Sequence, residues 1–149
     1  MVNAYFDSSV LVAFYLVESH SYAARRAVTG TPRVPFTSLH RLEVRNTFRV
    51  QVGRERMTSE ESEGVLRVLE EDVAAGRLAP TPLDLYAVFA RAEGLSAKYT
   101  RQLLSRSLDV LHVAAALELG CTRFVSFDAR QVKLAAAAGL RAAVPPPAA

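Results

Sequence analysis

The stretch MVNAYFDSSVLVAFYL, residues Met1 to Leu16, holds a single carboxylate inside an apolar run. Asn3 to Phe6 reads as a short buried strand and Ser9 to Leu16 as the start of a buried helix, with Asp7 at the turn between them. A carboxylate with apolar neighbours on both sides is expensive to bury unless something pairs with it. The opening therefore asks what Asp7 is there to meet, and a strand passing straight into a helix is the first half of a βαβ unit.

Outward from that stretch the same alternation recurs. A helix from about His20 to Val28 ends at Gly30, and Arg33 to Thr37 is short and β-prone. Thr37 or Ser38 can cap a helix running to Val52, closed by Gly53. Thr58-Ser59-Glu60-Glu61 is a capping box, and Val65, Leu66, Leu69 and Val73 share one face of the helix it opens. Glu60, Glu63, Arg67 and Glu71 lie mostly on the other side, which reads as solvated. Gly76 ends this helix, Leu78 to Thr81 is a short strand, and Pro82 suits the first turn of the next helix, striped by Leu85, Val88, Phe89, Ala92 and Leu95. A polar, basic stretch spans Lys98 to Arg106. Ser107 starts a helix to Gly120, Arg123 to Phe127 is a strand, Asp128 caps a helix to Ala138, and Arg141 to Val144 is a last strand. Strands alternating with helices imply right-handed crossovers and a parallel sheet covered on both faces.

The 149 residues make one domain, 1–144, followed by a Pro/Ala tail, 145–149, expected to be disordered. Half the residues are hydrophobic and 22% are charged, a globular composition. The opening run lacks a basic start and is too short and polar to span a membrane. A single cysteine, Cys121, forms no intrachain disulfide, so a reducing cytoplasm is expected. The net charge of +3 tilts the chain toward acidic partners such as nucleic acid, a signal shared by many unrelated domains.

In parallel sheets ligands bind beyond the carboxyl ends of the strands. Asp7 and Asp128 each follow a strand. Glu43, in SLHRLEVRNTF, lies just over a turn into its helix, and Asp109 is in the first turn of a helix rich in Leu, Val and Ala. If the four converge they repel one another unless a divalent cation sits among them. Oxygen donors suit Mg²⁺ or Mn²⁺, and the chemistry would be metal-assisted phosphodiester hydrolysis. Each acid also has a structural reading. Asp7, Asp109 and Asp128 are natural helix caps, and Glu43 can be a solvated helical side chain. The set, not any member, points to a site.

YFDSSVLV around Asp7, LHRLEVRNTF around Glu43, SLDVLHVAAALELG around Asp109 and RFVSFDARQVKLAAAAGL around Asp128 resemble, in order, the successive motifs of PIN domains, and in particular the bacterial VapC-type toxins. The resemblance covers nearly the whole chain. It implies a three-layer α/β/α fold around a central parallel sheet and a Mg²⁺- or Mn²⁺-dependent endoribonuclease, the toxin of a toxin–antitoxin pair. It further implies that Asp7, Glu43 and Asp109 hold metal, with Asp128 as the more variable fourth acid, and that Ser126 and Ser107 stand where hydroxyls support the carboxylates or a water. A cognate antitoxin and a homodimer are expected from the resemblance alone.

Other residues near these motifs carry weaker expectations. Ser8 and Ser9 either hydrogen-bond Asp7 or a water beside it, or cap the first helix. His112, three residues after Asp109, invites a reading as general base, but a packing and hydrogen-bonding role is favoured. His20 and His40 fit no pattern. Arg41, Arg45 and Arg49 form an i, i+4 ridge pointing away from Glu43, suited to solvent or a protein contact. Arg101 and Arg106 lead into Asp109 and are the better choices for holding RNA backbone. No aromatic stacking platform is legible. No zinc spacing, Walker A loop, dinucleotide fingerprint or G-x-S-x-G elbow is present. A receiver domain or an Asp-based phosphatase would want a second acid beside Asp7, where Phe6 and Ser8 stand. The rivals left are a PIN-like module that binds RNA or protein without cutting, and a stand-alone RNA-processing nuclease.

Overall fold

Side-chain alternation along two three-residue strands divides the core in two. In the computed structural model, which describes residues 4–147, β1 (Ala4–Phe6) and β4 (Arg123–Val125) pair in parallel, with Tyr5 opposite Phe124. Ala4, Phe6 and Val125 enter one apolar cluster and Tyr5 and Phe124 the other. Successive residues of a strand point to opposite faces, so the two clusters are the two sides of one sheet. β5 (Arg141–Ala143) extends it beyond β4, giving a parallel sheet ordered β1-β4-β5. β2 (Val34–Phe36) and β3 (Leu78–Pro80) form a separate parallel pair, with β2 lying against β1.

Helices cover both faces. On one side lie α1 (Ser8–Tyr15), α2 (Ser21–Thr29), α3 (Ser38–Gly53) and α4 (Ser59–Ala74), packed around Phe6, Leu11, Val44, Phe48 and Leu69. On the other lie α5 (Leu85–Leu95), α7 (Ser107–Glu118) and α8 (Ala129–Ala137), around Tyr5, Val88, Val113, Phe124 and Leu134. Burying each of these large apolar side chains contributes roughly 1.5–3 kcal/mol. The result is the expected three-layer α/β/α arrangement around a central parallel sheet.

Helix ends follow the sequence signals closely. Thr37 caps α3 and Thr58 caps α4, each in a reciprocal capping box, with His40 as the unexpected return partner in the first. Gly120 and Gly139, at φ 72° and 100°, end α7 and α8 in the left-handed conformation, which relieves glycine of the clash any side chain would meet. Two expectations differ from the structure. Pro82 lies before the helix it was expected to open: α5 starts at Leu85, because the Asp84 carboxylate accepts the Ala87 N–H at 3.1 Å and makes the better cap. The stretch from Lys98 to Arg106 is not wholly irregular. The helix runs on through a π-helical turn (Ser96–Thr100) into α6 (Arg101–Leu103), since Leu95, Tyr99 and Leu103 keep packing against the second core.

The expected solvated side of α4 is exposed at Glu60, Glu63, Arg67 and Glu71. Of the arginine ridge of α3, Arg41 and Arg45 both pair with Glu70 on α4, and Arg49 is exposed. Residues 144–147 have no regular structure, and Pro145 is buried. Asn3, expected to start β1, and the last two residues of the expected tail lie outside the described residues.

Candidate active site

Asp7 follows β1 and caps α1, its carboxylate accepting the Val10 N–H at 3.3 Å. The cap does not exhaust it. The Ser9 hydroxyl donates to Oδ1 at 2.6 Å, and the Ser126 hydroxyl, from just beyond β4, donates to Oδ2 at 2.8 Å. Asp7 is only 5% exposed. Burial raises its pKa from 3.8 to about 6, against the hydroxyl, His112 and Val10 interactions that favour the anion. A carboxylate kept this far from water, with no cation of the chain bonded to it among the described residues, is primed for a proton or a positive ligand.

The other three acids line the same cleft, of about 380 Å³, with Asp7, Ser9 and Arg106. Glu43, on the inner side of α3, accepts from His112 Nε2 at 2.9 Å. Its pKa is lowered: burial opposes ionisation, but the hydrogen bond from His112, then Ser8 and Arg106, outweigh it. His112 is 1% exposed and receives the Tyr5 hydroxyl proton on Nδ1 at 2.7 Å, so its tautomer places N–H on Nε2, toward Glu43. That is the packing and hydrogen-bonding role expected of it. Asp109 caps nothing. The N-cap of α7 is Arg106, which makes no side-chain cap, and the Asp109 carboxylate faces the guanidinium at 3.0 Å. Asp128 does cap α8, through Oδ1 to the N–H groups of Arg130 and Gln131, while its Oδ2 lies 3.5 Å from Arg106 Nη2.

Ser8 is turned away from Asp7 to His112 Nε2, 3.4 Å off, and Ser9 takes the place beside the carboxylate. A helical twist of about 100° per residue separates the two hydroxyls, and the sequence offered them equally. Arg101 is exposed on α6 and Arg106 enters the cleft. Three residues escaped the sequence reading. Gln131 lies between Ser126 and the Asp109 carbonyl: its Nε2 donates to the carbonyl at 3.3 Å, and its Oε1, 3.2 Å from the Ser126 hydroxyl, is the alternative acceptor to Asp7 for the one proton there; its position one turn after Asp128 was the only available signal. His40 is wholly buried, accepts the Thr37 N–H at 2.9 Å and donates to the Phe6 carbonyl at 2.6 Å, locking α3 to β1. Burial lowers its pKa to about 3, so it stays neutral. His20 stacks on Phe127 at the rim of the cleft, ring centroids 4.4 Å apart.

The four carboxylates thus share one cleft but not one coordination sphere: among the described residues no three His, Cys, Asp or Glu side chains stand close enough together to hold an ion. Their donor chemistry still fits a hard divalent cation, because all four offer carboxylate oxygens. Mutual repulsion is relieved instead by Arg106, His112 and the two serines.

A three-layer fold around a parallel sheet, with an acidic cleft beyond the strand ends, places the chain among the α/β proteins that bind ligands at that edge. The chain resembles the crystal structure of FitAcB from Neisseria gonorrhoeae with a TM-score of 0.61 over 97% of each chain, at 14% identity, a likeness of fold. The family model for the PIN domain matches residues 4–137, and the chain belongs to the PIN domain family. PIN domains are in general metal-dependent nucleases. Comparison with curated proteins finds no significant match. No helix among the described residues is long and apolar enough to cross a membrane.

Proposed function

We propose that this PIN domain is a Mg²⁺- or Mn²⁺-dependent endoribonuclease of the VapC type, acting in the cytoplasm as the toxin of a pair and restrained by a cognate antitoxin. The observation that carries the reading is the convergence of Asp7, Glu43, Asp109 and Asp128 on one cleft, although 121 positions separate the first from the last. Asp7, Glu43 and Asp109 would hold the ion, with Asp128 beside them. A bound divalent ion would activate water and offset charge on the leaving oxygen.

The chain's own residues do the rest. Ser9 and Ser126 fix the Asp7 carboxylate by donating to its two oxygens. His112 holds Glu43 in the cleft and keeps it ionised. Arg106, at the mouth, and Arg101, on the adjoining turn, offer cations to the RNA phosphates, contacts that should weaken with salt. A homodimer would agree with the family resemblance.

The test is cleavage of labelled single-stranded RNA by purified protein in Mg²⁺ or Mn²⁺ against EDTA. Asp7→Asn, Glu43→Gln and Asp109→Asn should fall to background while remaining folded, and Asp128→Asn should lose less. Arrest of bacterial growth on expression, absent for Asp7→Asn, would support the toxin assignment. A folded, metal-loaded protein that binds RNA and cuts none would favour the non-catalytic module.

A further inference from the structure

The cleft already contains a cation of its own. Arg106 donates from Nε to Asp109 and from Nη2 to Asp128, joining two of the four acids across 19 positions of sequence. Local backbone puts it there. Leu104, at φ 54°, takes the left-handed conformation at the end of α6 and turns the chain. Arg106 follows in extended backbone as the residue before α7, from which its side chain reaches forward one turn to Asp109. A leucine holding φ > 0 is uncommon.

The guanidinium takes one Oδ2 oxygen from each aspartate. On the reading that the cleft takes a divalent ion, that ion draws on the same carboxylates, and a guanidinium already paired with Oδ2 of each repels it at contact distance. We propose that Arg106 is the resident counter-cation of this cleft and a positioning residue for its metal: guanidinium and divalent ion hold Asp109 and Asp128 in alternation, so loading requires Arg106 to let go.

Competition predicts tighter metal binding once the competitor is gone. The arginine side chain is 67% exposed, and such pairs are individually weak, so the gain should be ~3- to 10-fold. The experiment is Mg²⁺ titration of the full chain by calorimetry, with Arg106→Ala, Arg106→Lys and, as a charge control, Arg67→Ala on the exposed side of α4. Alongside it, the Arg106 Nε–Hε resonance of the unmutated protein is followed by NMR. Arg106→Ala should bind Mg²⁺ more tightly. Arg106→Lys keeps the charge without the planar fork and should fall between it and wild type, and Arg67→Ala should match wild type. The Nε–Hε resonance should move over the same Mg²⁺ range that saturates the site.

Unchanged or weaker binding by Arg106→Ala overturns the proposal, as does a guanidinium resonance that ignores saturation. If Arg106→Lys equals wild type while Arg106→Ala binds more tightly, a through-space charge effect replaces occupancy and the proposal is wrong. Should Arg106→Ala not fold, the lysine variant and the resonance still decide. If no form binds Mg²⁺, the metal reading of the cleft fails and this proposal with it; if all bind equally, the metal reading stands and only the competition is lost.

Discussion

Asp7→Asn should stabilise the protein when divalent ions are absent, although it removes the residue on which the proposed chemistry depends most. The folded state raises the Asp7 pKa from 3.8 to about 6, chiefly by burial, and a rise of that size corresponds to about 3 kcal/mol lost at neutral pH. Between these two values the folded chain binds a proton that the unfolded chain has released. Stability contributed by Asp7 is therefore complete below 3.8, falls as the pH rises through about 6, and is flat above. Asparagine removes that loss. It accepts poorly from two hydroxyls at once, so either Ser9 or Ser126 must turn round, at about 1 kcal/mol. The net gain of about 2 kcal/mol corresponds to a Tm about 4–8 °C higher.

The assay is thermal unfolding of both proteins in EDTA across pH. The difference should be largest at pH 7.5 and shrink as the pH falls from about 6 toward 3.8. Saturating Mg²⁺ should then raise the Tm of wild type more than that of the variant, because a ligand stabilises only the form that binds it. A variant less stable than wild type in EDTA at pH 7.5, or a difference independent of pH, would refute the account of Asp7 as a buried, uncompensated carboxylate.

Ser126→Ala removes the hydroxyl that donates to Asp7; metal affinity or RNA cleavage should drop roughly 10- to 100-fold, measured by Mg²⁺ titration and initial rates. His112→Ala removes one partner of the buried Tyr5 hydroxyl and frees Glu43, so denaturant unfolding should show a loss of about 2–4 kcal/mol from cavity and hydrogen bond together. Leu104→Gly should be neutral or stabilising by up to about 1 kcal/mol in the same assay, since glycine holds φ 54° without a clashing Cβ. Leu104→Val, β-branched at the same position, should destabilise.

Where the polypeptide changes direction was legible without coordinates. Glycines after α4, α7 and α8, the capping threonines and the apolar strands are local signals, acting within a turn or two of the residue that carries them. They placed every strand to within two residues and showed that Asp7 and Asp128 each follow a strand. Competition between two local signals was harder to read. Asp84 outranked Pro82 as a helix start, and the apolar spacing of Leu95, Tyr99 and Leu103 prevailed over a polar composition to prolong a helix.

What the amino-acid order determined by itself is the succession of elements and the four acidic positions that the succession carries toward one edge of the sheet. Partners were a matter for the tertiary structure. Ser9 rather than Ser8 meets Asp7, His112 reaches across to Glu43, and Arg106 joins Asp109 to Asp128. Each choice turns on the few ångströms and tens of degrees by which packed helices rotate, and hydrogen bonds and ion pairs fall away within that range. Sequence spacing carries no record of such distances between side chains; the packing of α1, α3 and α7 around the sheet sets them.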